Sequence, residues 1–346
     1  MEIISLDWKI LEIPLKKPFK IAFETMDTYR GVVVKLCTEE FCGYGEAVPA
    51  PRITGDTVDS VVSALKRFKP IVIGEDASAI GRIMDSLNSS ILGSPSAKAA
   101  IDFALFDIIS QKAGVPLKNL LGGRRDRIET SLTVDIGDLE YTLEHARKLI
   151  DEGAKILKVK IGLNPREDVE RIRALRKMTD VKIRVDGNQG YDLKTAIRVL
   201  REIERYEIEF AEQPIPASEV ENLKILRESV EIPIVADESV HRSRDVLRLI
   251  GKVDGINIKL MKSGGILEAL RMASIARAAG MKIMVGCMIE TQVGISAGTH
   301  FALGIGADYA DLDGYWDLAK QPYIGMEYED GYNLVREVPG LGIEVR

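Results

Sequence analysis

Hydrophobic and polar positions change their period along the chain. Over the first fifty residues they alternate, in Ile10-Leu-Glu-Ile-Pro-Leu15, Gly31-Val-Val-Val-Lys-Leu-Cys37 and Phe41-Cys-Gly-Tyr-Gly-Glu-Ala-Val48, which predicts strands. The short polar turn Thr38-Glu-Glu40 makes the last two an antiparallel hairpin. Residues 16–29 have no clear period and read as a loop. Helical spacing follows. Asp56-Thr57 can cap a helix with apolar positions at Val58, Val61, Val62, Leu65 and Phe68. A second helix is expected over 77–92. A third, Ser96 to Ala113, is Ala-rich and apolar enough to be buried. Strands followed by helices predict a separate α+β unit.

From about residue 128 strand and helix alternate. Strands are expected at 129–134, 156–161, 182–186, 208–212, 233–236, 256–260, 282–286 and 308–312, with helices such as 165–178 and 193–205 between them. Eight strands and seven helices at a period near 25 predict an α/β fold, a modified TIM barrel of the (β/α)7β type. A doubly wound open sheet is the alternative, but the G-x-G-x-x-G turn expected of it is absent. The last stretch is expected to return to the first unit. The division is then a capping domain over 1–125, a barrel over 126–314 and a returning segment over 315–346.

The strand ends carry the candidate chemistry. Lys160, Asp186, Glu212, Asp237 and Lys262 follow one another at 26, 26, 25 and 25 residues, so one repeat separates each from the next. In such barrels catalytic residues sit at the C-terminal ends of strands. Three carboxylates on adjacent strands repel one another and resist burial unless a cation joins them. An all-oxygen set without His or Cys favours Mg²⁺, or Mn²⁺ in its place. Lys160 and Lys262 lie on strands four apart in a ring of eight and should face each other across the mouth. That suits removal of a proton from one face of a carbon α to a carboxylate and its return to the other. The metal would stabilise the enediolate. Lys158 shares a strand face with Lys160, and its like charge should lower the pKa of the base. Asp311 and Asp313 end the eighth strand, opposite the metal arc and apart from it. They suit a substrate ammonium group, and a ligand with carboxylate and ammonium ends describes a dipeptide.

Composition narrows the class further. The 346 residues are 46% hydrophobic and 29% charged, ordinary for a globular protein. A net charge of −6 gives no support for a nucleic acid or an anionic membrane as partner. No apolar run reaches the roughly 18 residues of a membrane span, and the N-terminus lacks a signal-peptide pattern. The odd set Cys37, Cys42 and Cys287 reads as reduced thiols in a cytoplasmic protein. Asn188 and Glu238 read as supports at the mouth. Gly264-Gly265 resembles a phosphate-binding turn but reads as backbone geometry. His300 reads as a core or surface residue, and Cys287 as a packing residue.

Lys158-Val-Lys160, Val185-Asp186-Gly-Asn188, Glu212-Gln-Pro214, Ala236-Asp237-Glu238-Ser239, Asn257-Ile-Lys-Leu-Met-Lys262 and Asp311-Leu-Asp313 together resemble the enolase superfamily, in its muconate-lactonizing subgroup. Within it the sequence is most similar to the dipeptide epimerases typified by L-Ala-D/L-Glu epimerase. The resemblance implies Lys160 and Lys262 as acid/base catalysts and Asp186, Glu212 and Asp237 as Mg²⁺ ligands. It implies Asp311 and Asp313 as binders of the dipeptide ammonium, and Thr133, Met288 and Ile289 as substrate contacts. It also implies that loops near 16–29 and 50–56 shape specificity, and that the protein is a homo-oligomer. Relatives acting on Ala-Glu carry an arginine in the first capping loop, where this sequence has Glu24. A carboxylate there repels an acidic substrate, whereas Phe19 and Phe23 suit an apolar or aromatic second residue. Muconate-type cycloisomerases, o-succinylbenzoate synthases and N-acylamino acid racemases share the metal and lysine set without an obvious need for Asp311-x-Asp313. A non-catalytic binding barrel is the reading from a different class.

Overall fold

Ser5–Ile21 and Glu24–Cys37 are the arms of a long antiparallel hairpin, and Cys42–Ala47 adds a third strand. The computed structural model describes residues 1–21 and 24–346, so Phe23 lies outside the described residues. Most of 16–29 is therefore strand rather than loop. The first arm finds a second partner in the far end of the chain: Lys16 N donates to Asp317 O at 2.7 Å and Ala319 N to Pro14 O at 3.0 Å. Leu11, Ile13, Leu15 and Ile21 all point inward, and the lysines and prolines between them hide this alternation from a local reading.

Cys37 and Cys42 are directly paired in the ladder and joined by a disulfide, contrary to the reading of three reduced thiols. The tight turn between the two strands brings them face to face. Cys287 is free.

The cap also carries the helices Val58–Val72, Ile80–Ser90 and Pro95–Ala113, with a short turn of helix at Leu117–Leu120. Thr57 caps the first, accepting from Ser60 N at 3.2 Å. Asp56 turns away from that helix and accepts from Ser96 N at 3.1 Å. Buried Val61, Leu65, Phe68, Ile101 and Leu105 share one core with the cap sheet. Each such side chain stabilises by roughly 1.5–3 kcal/mol.

Among the described residues, eight parallel strands stand in chain order around a barrel: Leu132–Val134, Ile156–Lys160, Lys182–Asp186, Ile208–Glu212, Ile234–Ala236, Gly255–Lys259, Lys282–Gly286 and Tyr309–Asp311. A bridge between Thr130 and Ala310 joins the first strand's edge to the eighth. The expected strand over 129–134 is divided. Arg127–Glu129 leaves the barrel and pairs with Tyr332–Val335. Helices cover the outside, as where Leu193–Ile203 turns Ala196, Val199, Leu200 and Ile203 inward. No helix among the described residues is long and apolar enough to cross a membrane.

The final segment returns to the cap. Gly340 bonds Val115 and Leu117 through its backbone, and Leu341 N donates to Asp107 Oδ1 at 2.8 Å. Cap, barrel and returning segment are thus tied by hydrogen bonds at buried positions.

Candidate active site

Strand register sets the site. Lys160 is level with Asp186 on the next strand, and Asp186 with Glu212 on the one after. Asp237 directly follows the fifth strand. On the other side of the ring Lys259 is level with Gly286, and Gly286 with Asp311. The sequence-predicted residues thus gather at the C-terminal rim; the lysines, the three carboxylates and Asp311 are buried, whereas Thr133, Met288, Ile289 and Asp313 are half-buried.

The carboxylates are held by lysines. Lys158 Nζ lies 3.0 Å from Asp186, 2.7 Å from Glu212 and 2.6 Å from Asp311. Lys160 Nζ donates to Asp186 Oδ2 at 2.7 Å and to Asn188 Oδ1 at 3.0 Å. Contrary to the expectation from ring position, Asp311 is not apart from the metal arc. The barrel is narrow enough for one long side chain from the second strand to reach the third, fourth and eighth. Asp311 also accepts from Ser131 Oγ at 2.6 Å, and Asp313, just past the strand, from Thr133 N at 2.7 Å. Thr133 therefore acts on Asp313 through its backbone. Met288 and Ile289 are half-buried in the loop after the seventh strand, and Met288 N donates to Glu290 Oε1 at 2.8 Å.

Charge shifts follow from burial and neighbours. Burial, and then the Asp186 charge, push Glu212 up to about 8. Asp186 is lowered to about 2, because Lys158 and Lys160 outweigh its burial. Burial and then Asp311 raise Asp313 to about 7. Burial works to lower Lys158, but Asp186, Asp311 and Glu212 outweigh it and hold the ammonium above the usual lysine range.

Lys259 is a site residue that the repeat spacing passes over. Its Nζ lies 2.8 Å from Asp237 Oδ2. Asn257, two residues earlier, donates to Glu212 Oε1 at 2.7 Å, so strand alternation places Lys259 on the same inward face. That alternation, read from Asn257-Ile-Lys259, was the available signal. A Cβ at Gly286 would sit 2.6 Å from Asn257 Oδ1, so glycine makes room for the amide. Lys262 lies beyond the strand in the short helix Leu260–Ser263. Its ammonium bonds Asp237 Oδ1, Asp237 O at 2.5 Å and Asn257 O at 3.3 Å. These partners fill its three donors.

The remaining predicted residues fall into place around this centre. Asn188 links Lys160 to Glu238, donating to Glu238 Oε1 at 3.3 Å. Cys287 donates to Asp311 O at 3.3 Å. Gly264-Gly265 does not present an open anion cradle. Asp102 of the cap fills that turn, accepting from Leu267 N at 3.3 Å and from Ile266 N. His300 is buried away from the mouth and accepts from Lys118 N at 3.0 Å.

The donor set fits a hard divalent cation. Asp186, Glu212 and Asp237 are fully buried, and Glu212 Oε2 and Asp237 Oδ2 have no aligned hydrogen bond, only nearby ammonium groups. Among the described residues no three His, Cys, Asp or Glu side chains stand in a ready ligand cluster; the lysines occupy the space between the carboxylates.

A barrel of eight strands with a cap of this kind is a fold shared with known proteins. Residues 6–122 match the mandelate racemase/muconate lactonizing enzyme N-terminal domain, and 141–346 match the enolase C-terminal domain-like family. The L-Ala-D/L-Glu epimerase of Clostridium acetobutylicum is 40% identical, covering 96% of each chain. A substrate-liganded complex of the L-Ala-D/L-Glu epimerase from Bacillus subtilis superposes with a TM-score of 0.97 at 36% identity, covering 99% of each chain. A dipeptide epimerase from Enterococcus faecalis, complexed with Mg and the dipeptide L-Leu-L-Tyr, gives 0.96 at 36% identity and the same coverage. The chain belongs to the mandelate racemase/muconate lactonizing enzyme family of the enolase superfamily. Full-length relatives include epimerases and racemases, and the chain is an isomerase of that superfamily.

Proposed function

We propose that the protein is a Mg²⁺-dependent dipeptide epimerase that inverts the α-carbon of the C-terminal residue of an L-Ala-X type dipeptide. The observation that carries this reading is the acidic pair Asp311 and Asp313, anchored by Ser131 and Thr133 beside the lysine–carboxylate centre. A muconate-type cycloisomerase, an o-succinylbenzoate synthase or an N-acylamino acid racemase has no obvious need for it. The similar proteins named above act on or bind dipeptides, which supports the same reading.

Asp186, Glu212 and Asp237 would hold Mg²⁺, or Mn²⁺ in its place. The bound metal would supply positive charge to the substrate carboxylate, lowering the cost of forming an enediolate. Lys160 removes or returns the α-proton on one face. For the other face the repeat spacing nominates Lys262, but we assign this role to Lys259. Lys259 points inward from a strand end, whereas Lys262 is committed to Asp237 and two backbone carbonyls. Lys158 lies between the metal-binding acids and Asp311 and sets the charge on both. Asp311 and Asp313 receive the substrate ammonium. Met288 and Ile289 line the side-chain end.

The second residue X is proposed to be apolar or aromatic rather than Glu. Glu24 is exposed on the capping hairpin, and Phe19 packs partly against the main core. The cap over 1–125, the barrel over 126–314 and the segment 315–346 would act together as a cytoplasmic homo-oligomer with no nucleic-acid or membrane partner.

One experiment tests the reading. The protein is incubated with Mg²⁺ and mixed L-Ala-L-X dipeptides in D₂O, and α-deuterium is followed by mass spectrometry. Incorporation at the C-terminal residue is expected, strongest for apolar X. No incorporation in any dipeptide would leave a binding barrel. A clear preference for X = Glu would refute the side-chain assignment.

A further inference from the structure

Two buried carboxylates of the cap reach into the barrel at the loops that carry the site. Asp102, on the cap helix Pro95–Ala113, is fully buried. It accepts from Ile266 N and Leu267 N at the start of the helix Ile266–Ala278. The segment between Lys259 and Ile266 has little freedom of its own. Gly264 N and Gly265 N both donate to Leu260 O at 3.1 Å, and Ser263 Oγ donates to Gly265 O at 2.9 Å. Asp102 pins the far end of this unit. A Cβ at Gly265 would sit 2.4 Å from the Asp102 carboxyl carbon, so the glycine is what admits it.

Glu46, on the cap strand Cys42–Ala47, does the same one loop later. It accepts from Thr291 N at 2.8 Å, Thr291 Oγ1 at 2.6 Å and Gly294 N at 2.8 Å, with Tyr29 OH at 2.6 Å completing its shell. Thr291 is two residues past Ile289. A charge on a helix N-terminus is favoured by the partial positive charge there, and each carboxylate oxygen satisfies amides that would otherwise be buried unpaired. Removing such an acceptor leaves several donors without partners, and the loop shifts to recover them.

We propose that Asp102 and Glu46 are positioning residues through which the cap sets the sixth and seventh loops: Asp102 the lysine unit 259–265, and Glu46 the Met288–Ile289 substrate wall. The cap is then a part of the catalytic geometry as well as a lid over it. This rests on the dipeptide epimerase reading above.

Asp107 supplies the control. It lies on the same cap helix and is equally buried, but accepts from Leu341 N and Tyr44 N, neither of which belongs to a site loop. Wild type, Asp102→Asn, Glu46→Gln and Asp107→Asn are compared with Mg²⁺ and the best dipeptide found in the D₂O experiment. Measurements are made at a temperature where circular dichroism shows each variant folded. Asp102→Asn should lower kcat tenfold or more with KM within about threefold. Glu46→Gln should raise KM fivefold or more and change the ranking of X. Asp107→Asn should lower Tm yet keep kcat and KM within twofold. Hydrogen exchange should show protection lost over 259–267 in Asp102→Asn alone. Should Asp102→Asn not fold, Asp102→Glu displaces the charge by one methylene and serves the same comparison. Wild-type kinetics in the two loop variants, or equal losses in Asp107→Asn, would overturn the proposal. An inactive wild type would overturn the epimerase reading instead.

Discussion

Lys259 and Lys262 hold the same carboxylate through different oxygens: Lys259 Nζ is 2.8 Å from Asp237 Oδ2, and Lys262 bonds Oδ1 and the backbone oxygen of the same residue. One lysine belongs to the strand and shares the inward face of Asn257; the other belongs to the turn beyond it. The two therefore respond differently to removal.

Lys259→Ala and Lys160→Ala should each lower epimerisation by roughly 10²–10⁴-fold, the range for loss of a positioned acid or base. Lys262→Met should act mainly on stability, since it leaves the buried Asp237 with one cation instead of two. Breaking a buried pair costs about 3–5 kcal/mol when no other partner remains, so a smaller loss is expected here. Steady-state kinetics and thermal melts on the three variants check this. Near-normal kcat in Lys259→Ala, with Lys262→Met inactive though folded, would return the second base to Lys262.

Metal binding should stabilise the fold. A ligand that binds the folded state alone adds about 2.7 kcal/mol at one hundred times its Kd. Titration of Mg²⁺ into metal-stripped protein should therefore raise Tm, and EDTA should reverse the rise. Asp186→Asn, Glu212→Gln and Asp237→Asn should each abolish it. A Tm indifferent to Mg²⁺ and Mn²⁺ would count against the ligand set.

Asp313→Asn tests the ammonium role. Activity on dipeptides should fall by 10-fold or more, while any activity on N-acylated amino acids should change little, because those substrates present no cation to Asp313. Equal losses on both substrate types would make Asp313 a structural anchor for Thr133.

His300 gives a pH signature remote from the site. Burial lowers its pKa to about 3, and its ring accepts the Lys118 backbone proton. An unfolded histidine titrates near 6.5, so between about 3 and 6.5 the unfolded chain binds the extra proton. The contribution is fully present above about pH 6.5 and is lost as pH falls toward 3. By pH 3 the loss is on the order of 4 kcal/mol. Urea unfolding at several pH values should show stability falling over this window, with a shallower slope in His300→Asn. An unchanged slope in the variant would assign the acid sensitivity elsewhere.

Much of this protein is determined locally. The alternation of strand and helix from residue 128 onward, and the placing of Asp186, Glu212 and Asp237 at strand ends, need only the periods of the two structures and a constant repeat. So do the three cap helices, which follow from apolar spacing and the Thr57 cap. What the tertiary structure decides is what crosses between elements. The arm Leu15–Ile21 is held by two partners, Glu24–Met26 across the hairpin and the far end of the chain at Leu15 and Lys16. Cys37 meets Cys42 because of hairpin register. Lys158 spans three strands because the barrel is narrow. Lys259 ends its strand whereas Lys262 lies in the turn beyond it, because a repeat length counts residues and side-chain direction depends on where the strand stops. Sequence spacing carries no information about partners far along the chain, because a constant repeat is a local property while those partners are brought together only by the fold.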